Sequence, residues 1–270
     1  MIDAKLQQSL RERFNPEGSM LRRQQLRMLD ILLYVDRVCK EHNIRYWLSS
    51  GTLLGAVRHG GFIPWDDDLD IEMLKEDYDR FVKVFPNNED FVLQTIYTDS
   101  NYFKGFAKVR DLHSQISEFE IDRCYKYRGL YVDVFCLERL PRVVCRVYGG
   151  LYNLCGALNL KYGSKSLTRA MVKIFQKLIL ISVPIVRPIF RLMTKDLRHS
   201  YGSGFPKPRH VEDLFPLSHI SFEGISFPAP KNIDNYLRVI YGDYMQLPNV
   251  DDIHPHVSKC EINKLSNCKN

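Results

Sequence analysis

The stretch from Ser49 to Glu72, SSGTLLGAVRHGGFIPWDDDLDIE, constrains this chain more than any other part of it. Just before it, Ile44–Leu48 is a short β-branched and aromatic run that reads as a strand. Ser49-Ser50-Gly51 breaks that run, and Thr52–Arg58 then reads as a short helix starting straight after the glycine. Gly60-Gly61 and Pro64 make a turn, and Leu69–Met73 alternates apolar and acidic residues as a half-exposed strand does. Backbone N–H groups at a helix N-terminus lack internal partners and sit at the positive end of the dipole, so they bind phosphate readily. Gly51 lets the backbone approach a ligand without a Cβ. Taken alone, Ser50-Gly51 reads first as an ordinary helix cap with a turn glycine, ahead of a phosphate cradle.

The acidic half adds the second constraint. Residues two apart on a strand point to one face, so Asp68 and Asp70 project together, with Asp66 as a further candidate. Neighbouring carboxylates repel unless a cation sits between them, and hard oxygen ligands suit Mg²⁺. Pro64, Trp65, Leu69 and Ile71 frame the acids with burial-prone side chains, which argues against a merely solvated turn. A phosphate-cradling turn followed by paired carboxylates is what nucleotidyl-transfer chemistry requires.

The rest of the chain mixes helices and strands. Leu21–Glu41 and Lys75–Phe85 carry apolar residues at helical spacing. Phe91–Thr95, Phe103–Arg110, Gln115–Ile121 and Leu130–Phe135 read as strands, and Asn232–Ile240 as a short helix. That order predicts an α+β fold with a mixed sheet and flanking helices. Lys104, Lys108 and Arg110 fall at even spacing on one strand candidate, where they share a face and can bind donor phosphates. The net charge is +6, but Arg139–Ser200 holds twelve lysines and arginines against a single acid, Asp196. That local balance of +11 leaves −5 for the remainder. Val143–Leu160 and Leu167–Leu197 within it read as helices. The expected division is a core over 1–138, a basic apolar helical segment over 139–200, and a C-terminal region over 201–270 that packs back on the core.

The seven cysteines show no C-x-x-C spacing, and the polar N-terminus has no apolar core of a secretory signal. Both favour reduced thiols, no zinc site and a cytoplasmic chain. The longest uncharged apolar run of the later half, Leu178–Val186, is far below the roughly 20 residues that span a bilayer. The basic segment fits contact with the inner face of a membrane, or a helical subdomain lying on the core. Nucleic acid is not expected, because aromatic and glycine interleaving of the RNA-binding type is missing.

Gly51-Thr52-Leu53-Leu54-Gly55-Ala56-Val57-Arg58-His59-Gly60 and Ile63-Pro64-Trp65-Asp66-Asp67-Asp68-Leu69-Asp70 together resemble the signature of the LicD family. That family is a branch of the nucleotidyltransferase fold that includes fukutin-related proteins. The likeness runs from the first helix to about Glu138 and resumes weakly near Tyr241-Gly242-Asp243-Tyr244-Met245. The resemblance implies transfer of phosphocholine, or a related phosphoalcohol, from a CDP-linked donor to a glycan hydroxyl, with release of CMP. The cofactor it implies is Mg²⁺ or Mn²⁺, and the setting is modification of lipopolysaccharide, capsule or teichoic acid, where the acceptor can be lipid-linked. It implies a third carboxylate from a later strand. Tyr131-Val132-Asp133-Val134-Phe135 fits, which makes Asp133 a third metal ligand or the base for the acceptor hydroxyl. Arg58 matches the motif as a phosphate contact beside Ser50 and Gly51, and His59 either packs the turn or takes part in catalysis. His254 and His256 match only loosely and are expected in solvent, while Tyr241–Tyr244 is expected to wall the site. Two other functions fit the same residues: a nucleotidyltransferase acting on a small phosphate or sugar, and a metal-stabilised binding module without catalysis.

Overall fold

A computed structural model describes residues 2–102, 104–117, 124–162, 166–200, 205–253 and 259–262. Two helices open the chain, α1 (Ala4–Phe14) and α2 (Met20–Glu41). The motif region follows as β1 (Trp47–Leu48), α3 (Ser50–His59) and β2 (Asp70–Leu74). Next come α4 (Lys75–Val84), β3 (Phe91–Gln94), β4 (Ala107–Asp111), β5 (Ser114–Ser117) and β6 (Tyr131–Arg139). A long helical pair, α5 (Arg142–Tyr162) and α6 (Ser166–Met193), leads to β7 (Leu197–His199) and α7 (Val211–Leu214). A hairpin of β8 (Ser218–Phe222) and β9 (Ile225–Ala229), then α8 (Ile233–Tyr241), a 3₁₀ turn over Val250–Asp252 and β10 (Lys259–Ile262) complete the order.

The central sheet runs β1-β2-β6-β4-β3, with β7 also pairing β6. β2 is parallel to β6, and the other pairings are antiparallel, so the sheet is mixed as expected. Strand alternation divides its two faces by chemistry. Ile71, Val109, Val132 and Val134 are fully buried in one apolar core with Met28, Ile31, Leu32 and Val35 of α2. Burying a side chain of this size contributes about 1.5–3 kcal/mol, which makes this face the main source of stability. The alternate positions carry Asp70 and Glu72 on β2, Asp133 on β6, Lys108 and Arg110 on β4, and Gln94 on β3. One sheet face is therefore core, and the other is polar.

Several elements differ from the sequence expectation. β4 begins at Ala107, so Lys104 stands in the preceding loop rather than beside Lys108 on a strand. Gly105 breaks the run there. The second basic helix ends at Met193, because Leu197–His199 pairs with Leu137–Arg139 as an extra strand. The β8–β9 hairpin is an addition to the expected elements. Expected strand residues at 118–121, together with His254 and His256, lie outside the described residues. Among the described residues Cys39, Cys124, Cys136, Cys145 and Cys155 are free thiols. No helix among them is long and apolar enough to cross a membrane.

Candidate active site

Register brings Asp70 of the motif and Asp133 of β6 to one row of the sheet. Asp70 pairs with Asp133 across the parallel strands, and Asp133 pairs with Lys108 on its other side. Lys108 in turn pairs with Gln94. Cross-strand partners project to the same face, so Asp70, Asp133 and Lys108 stand side by side. Lys108 Nζ lies 2.7 Å from Asp133 Oδ1 and 3.2 Å from the centre of the Tyr131 ring. At the start of β2 the backbone N–H of Asp70 donates to Thr52 Oγ1 at 2.7 Å, which ties α3 to the row. The Ser49 N–H donates to the Asp70 carbonyl at 3.1 Å. Ser49 Oγ at the N-cap of α3 is buried and has no hydrogen-bond partner among the described residues.

The loop between α3 and β2 folds back over the helix. Ser50 adopts φ +46°, a left-handed conformation that turns the chain sharply into α3. A Cβ on Gly51 would stand 2.9 Å from Asp66 Oδ2, so the missing side chain is what lets Asp66 lie against the helix start. Gly55 is tighter still: a Cβ there would come to 2.4 Å from the Gly61 carbonyl oxygen and 3.2 Å from the Ile63 nitrogen. Both neighbours are backbone and cannot swing away. Gly55→Ala is therefore expected to lower stability by about 1–3 kcal/mol by forcing the acidic loop off α3. A urea titration reads this as a lower midpoint with unchanged slope. Gln25 Nε2 fixes the far end of the loop by donating to the Asp66 carbonyl at 2.9 Å.

Asp68 lies in the loop just ahead of β2 rather than on the strand, yet its charge reaches both neighbours. Burial pushes the Asp66 carboxyl up, and the charges of Asp68 and Asp67 push it further. Burial does the same to Asp70, followed by the charges of Asp68, Asp133 and Asp66, with Lys108 opposing. Tyr241, at the end of α8, has its phenol pushed up by burial and then by Asp70, Asp66 and Asp68. The end of α8 thus lies within reach of the cluster's charge. Among the described residues no three His, Cys, Asp or Glu side chains converge tightly enough to form a ready metal cage. The donor chemistry nevertheless suits a hard dication: oxygen-only carboxylates, half-buried to buried, raising one another's proton affinity.

The remaining candidates have other partners. Arg58 is buried, and its Nη1 donates to the carbonyls of Tyr244 at 3.0 Å and Gln246 at 3.3 Å. Its Nε donates to His59 Nε2 at 2.9 Å, while His59 Nδ1 lies 2.6 Å from Gln7 Oε1. Burial and the adjacent Arg58 bring the His59 pKa down to about 3, so the imidazole is neutral and locks the turn to α1. Arg110 points its guanidinium at Gln94 Oε1 (2.7 Å) and the Gly129 carbonyl (2.8 Å) and stacks on Tyr131. Of the candidate phosphate-binding cations, Lys108 alone stands in the carboxylate row.

Glu72, one step along β2 on the same face, is fully buried. It accepts from Arg209 at 2.5 Å, Tyr236 Oη at 2.8 Å and Trp47 Nε1 at 3.0 Å, and pairs with His199 Nε2 at 2.7 Å. Sequence reasoning missed this hub, Thr52 and Gln25. Alternation already puts Glu72 on the face of Asp70, but its partners lie far along the chain.

Comparison with known proteins decides the family. The LicD/FKTN/FKRP nucleotidyltransferase domain matches residues 43–139, the span from β1 to the end of β6. The chain is 32% identical, over a 262-residue alignment, to the lipopolysaccharide cholinephosphotransferase LicD of Haemophilus influenzae. That alignment covers 87% of this chain and 95% of the relative. The chain belongs to the LicD family. Shorter matches fall within the same family: 52% identity over 44 residues to the ribitol 5-phosphate transferase FKRP of Homo sapiens, covering 16% of this chain and 9% of that one. An uncharacterised Rickettsia typhi protein is 59% identical over 46 residues, 17% of this chain and 15% of that one. As a LicD-family transferase, the chain carries its carboxylate row inside the matched domain.

Proposed function

We propose that this protein transfers a phosphocholine-type phosphoalcohol from a CDP-linked donor to a glycan hydroxyl and releases CMP. The observation that carries the reading is the in-register row of Asp70, Asp133 and Lys108, faced by Asp66 and Asp68 and abutting the start of α3. The near full-length likeness to a lipopolysaccharide cholinephosphotransferase supports the choice of head group and of a cell-surface glycan as acceptor.

Asp68, Asp70 and Asp133, with Asp66 close by, would hold Mg²⁺ or Mn²⁺. When bound, that ion would neutralise charge on the donor pyrophosphate. Ser50, Gly51 and the Ser49 hydroxyl offer donors to a phosphate at the N-terminal end of α3. The acceptor oxygen attacks the phosphorus that bears the alcohol, the bond to the bridging oxygen breaks, and CMP leaves with that oxygen. Asp133 takes the proton of the hydroxyl as the new bond forms. Lys108, 2.7 Å from it, holds it in orientation until then and places a fixed cation beside the developing charge. Most of the rate comes from positioning and electrostatics in such a site.

The test is a panel of CDP-alcohols and CTP incubated with the protein, a glycan acceptor and Mg²⁺. Mass spectrometry follows the products. The expected result is CMP together with a phosphoalcohol-bearing glycan from CDP-choline or a close relative, lost with EDTA. Pyrophosphate from CTP would instead assign a nucleotidyltransferase. Cation binding without turnover of any donor would assign a binding module.

A further inference from the structure

We propose that α5 and α6 form a docking face for an anionic lipid bilayer surface, an inference that does not rest on the transfer reaction. On α6, Leu167, Met171, Ile174, Leu178, Ile181 and Ile185 follow one another at steps of four and three residues, which is one helix face. Each is more than half exposed, from 59% to 72%, and Leu192 in the last turn is 90% exposed. The stripe is separate from the packed face of the helix. Val172 and Ile179 face inward and are buried with Tyr152, Cys155, Tyr102 and Tyr125. On α5, Val143 and Val147 are also more than half exposed, and they share a groove with Leu178. The apolar surface is therefore continuous across both helices. Isolated exposed apolar residues are ordinary, but a contiguous strip on a helix of 28 residues, about 42 Å long, marks a contact surface.

Charge selects the occupant. Lys173, Lys177 and Arg191 each lie one position before a stripe residue and flank it, and Arg142 and Arg146 do the same for Val143 and Val147. Between Arg139 and Ser200 the only acid is Asp196, which is engaged by Arg198. A second copy of the chain would lay one basic rim against another with no acids to pair them, unlike the opposite charges that flank stable helix pairs. An anionic bilayer offers acyl chains for the stripe and negative headgroups for the rim. The helix lies on that surface, since none among the described residues is long and apolar enough to cross it.

Flotation of the full chain with phosphatidylcholine vesicles, with and without phosphatidylglycerol, tests this. The expected result is flotation with the anionic vesicles, weakened by salt. Lys173→Gln with Lys177→Gln should lower partitioning roughly 25-fold, since each cation near the surface is worth about fivefold. Ile174→Ser with Leu178→Ser should lower it at least about a hundredfold. Both pairs change partly or fully exposed side chains, and unchanged circular dichroism confirms that the fold is kept. Failure of the wild type to float with either vesicle overturns the proposal. Undiminished flotation of the Ser variants does so too. So does a wild-type dimer that these variants dissolve, which would assign the face to a second copy.

Discussion

Asp70→Asn is expected to abolish group transfer while raising the melting temperature of the metal-free protein. The two effects have one cause. Asp70 is buried beside Asp68, Asp133 and Asp66, and its carboxyl is pushed above the ordinary range, first by burial and then by those charges. A carboxyl whose folded pKa lies above its unfolded value of about 3.9 favours folding at low pH. That advantage declines as pH rises through the unfolded and then the folded value, so at neutral pH the ionised group opposes folding. Asn removes the charge at nearly constant shape and should gain a few degrees with EDTA present. Mg²⁺ should then raise the melting temperature of the wild type but not of the variant. Losing a carboxylate that acts through the cation should cost turnover about a thousandfold. Asp133→Asn separates the roles: it should lose activity to a similar degree and also lose stability, because it breaks the buried 2.7 Å ion pair with Lys108. Parallel melting curves and CMP-release assays check both variants. An active Asp70→Asn enzyme with a lowered melting temperature would make Asp70 merely structural.

Glu72→Ala should be the most destabilising single change near the site. The Glu72 and Arg209 side chains are both fully buried, and Glu72 also joins Trp47, His199 and Tyr236. Breaking a buried pair by removing one partner costs about 3–5 kcal/mol, because the other charge stays buried. For a chain of this length that is a fall of about 10 °C in melting temperature. The same network predicts acid sensitivity. Burial alone would raise the Glu72 carboxyl, but Arg209, and after it His199 and Tyr236, bring it down to about 2. A folded pKa below the unfolded value of about 4.3 gives stability that is complete above 4.3 and lost as pH falls towards 2. The gap in melting temperature between wild type and Glu72→Ala should therefore narrow across that window. Burial and Arg209 also hold the His199 imidazole below its ordinary value, so protonation of the unfolded chain below about pH 6.5 adds a further loss.

Local pattern made the centre of the site legible. Asp70 stands on the strand that alternation predicts, Asp68 lies in the loop just ahead of it, and Asp133 was singled out by the family resemblance together with its place as one acid in an apolar strand. Lys108 followed from alternation, but Lys104 did not, since the chain turns at Gly105 before the strand begins. What sequence periodicity could not supply is the identity of distant partners. Arg110 reads as a phosphate cation until Gln94 and the Gly129 carbonyl, 16 and 19 residues away, take its donors. Glu72 meets His199, Arg209 and Tyr236 across 127, 137 and 164 residues, and no local rule encodes such contacts. The sequence shows α6 as a basic, apolar helix, while which of its apolar residues stay exposed depends on the face the core takes, that of Val172 and Ile179.

The most direct test of the carboxylate cluster is a Mn²⁺ titration followed by electron paramagnetic resonance, with a CDP-alcohol present, on wild type and Asp70→Asn. A cation held by residues 66, 68, 70 and 133 predicts saturable binding by the wild type that the substitution abolishes while the fold persists. Equal binding by both proteins, or none by the wild type with donor bound, would contradict it.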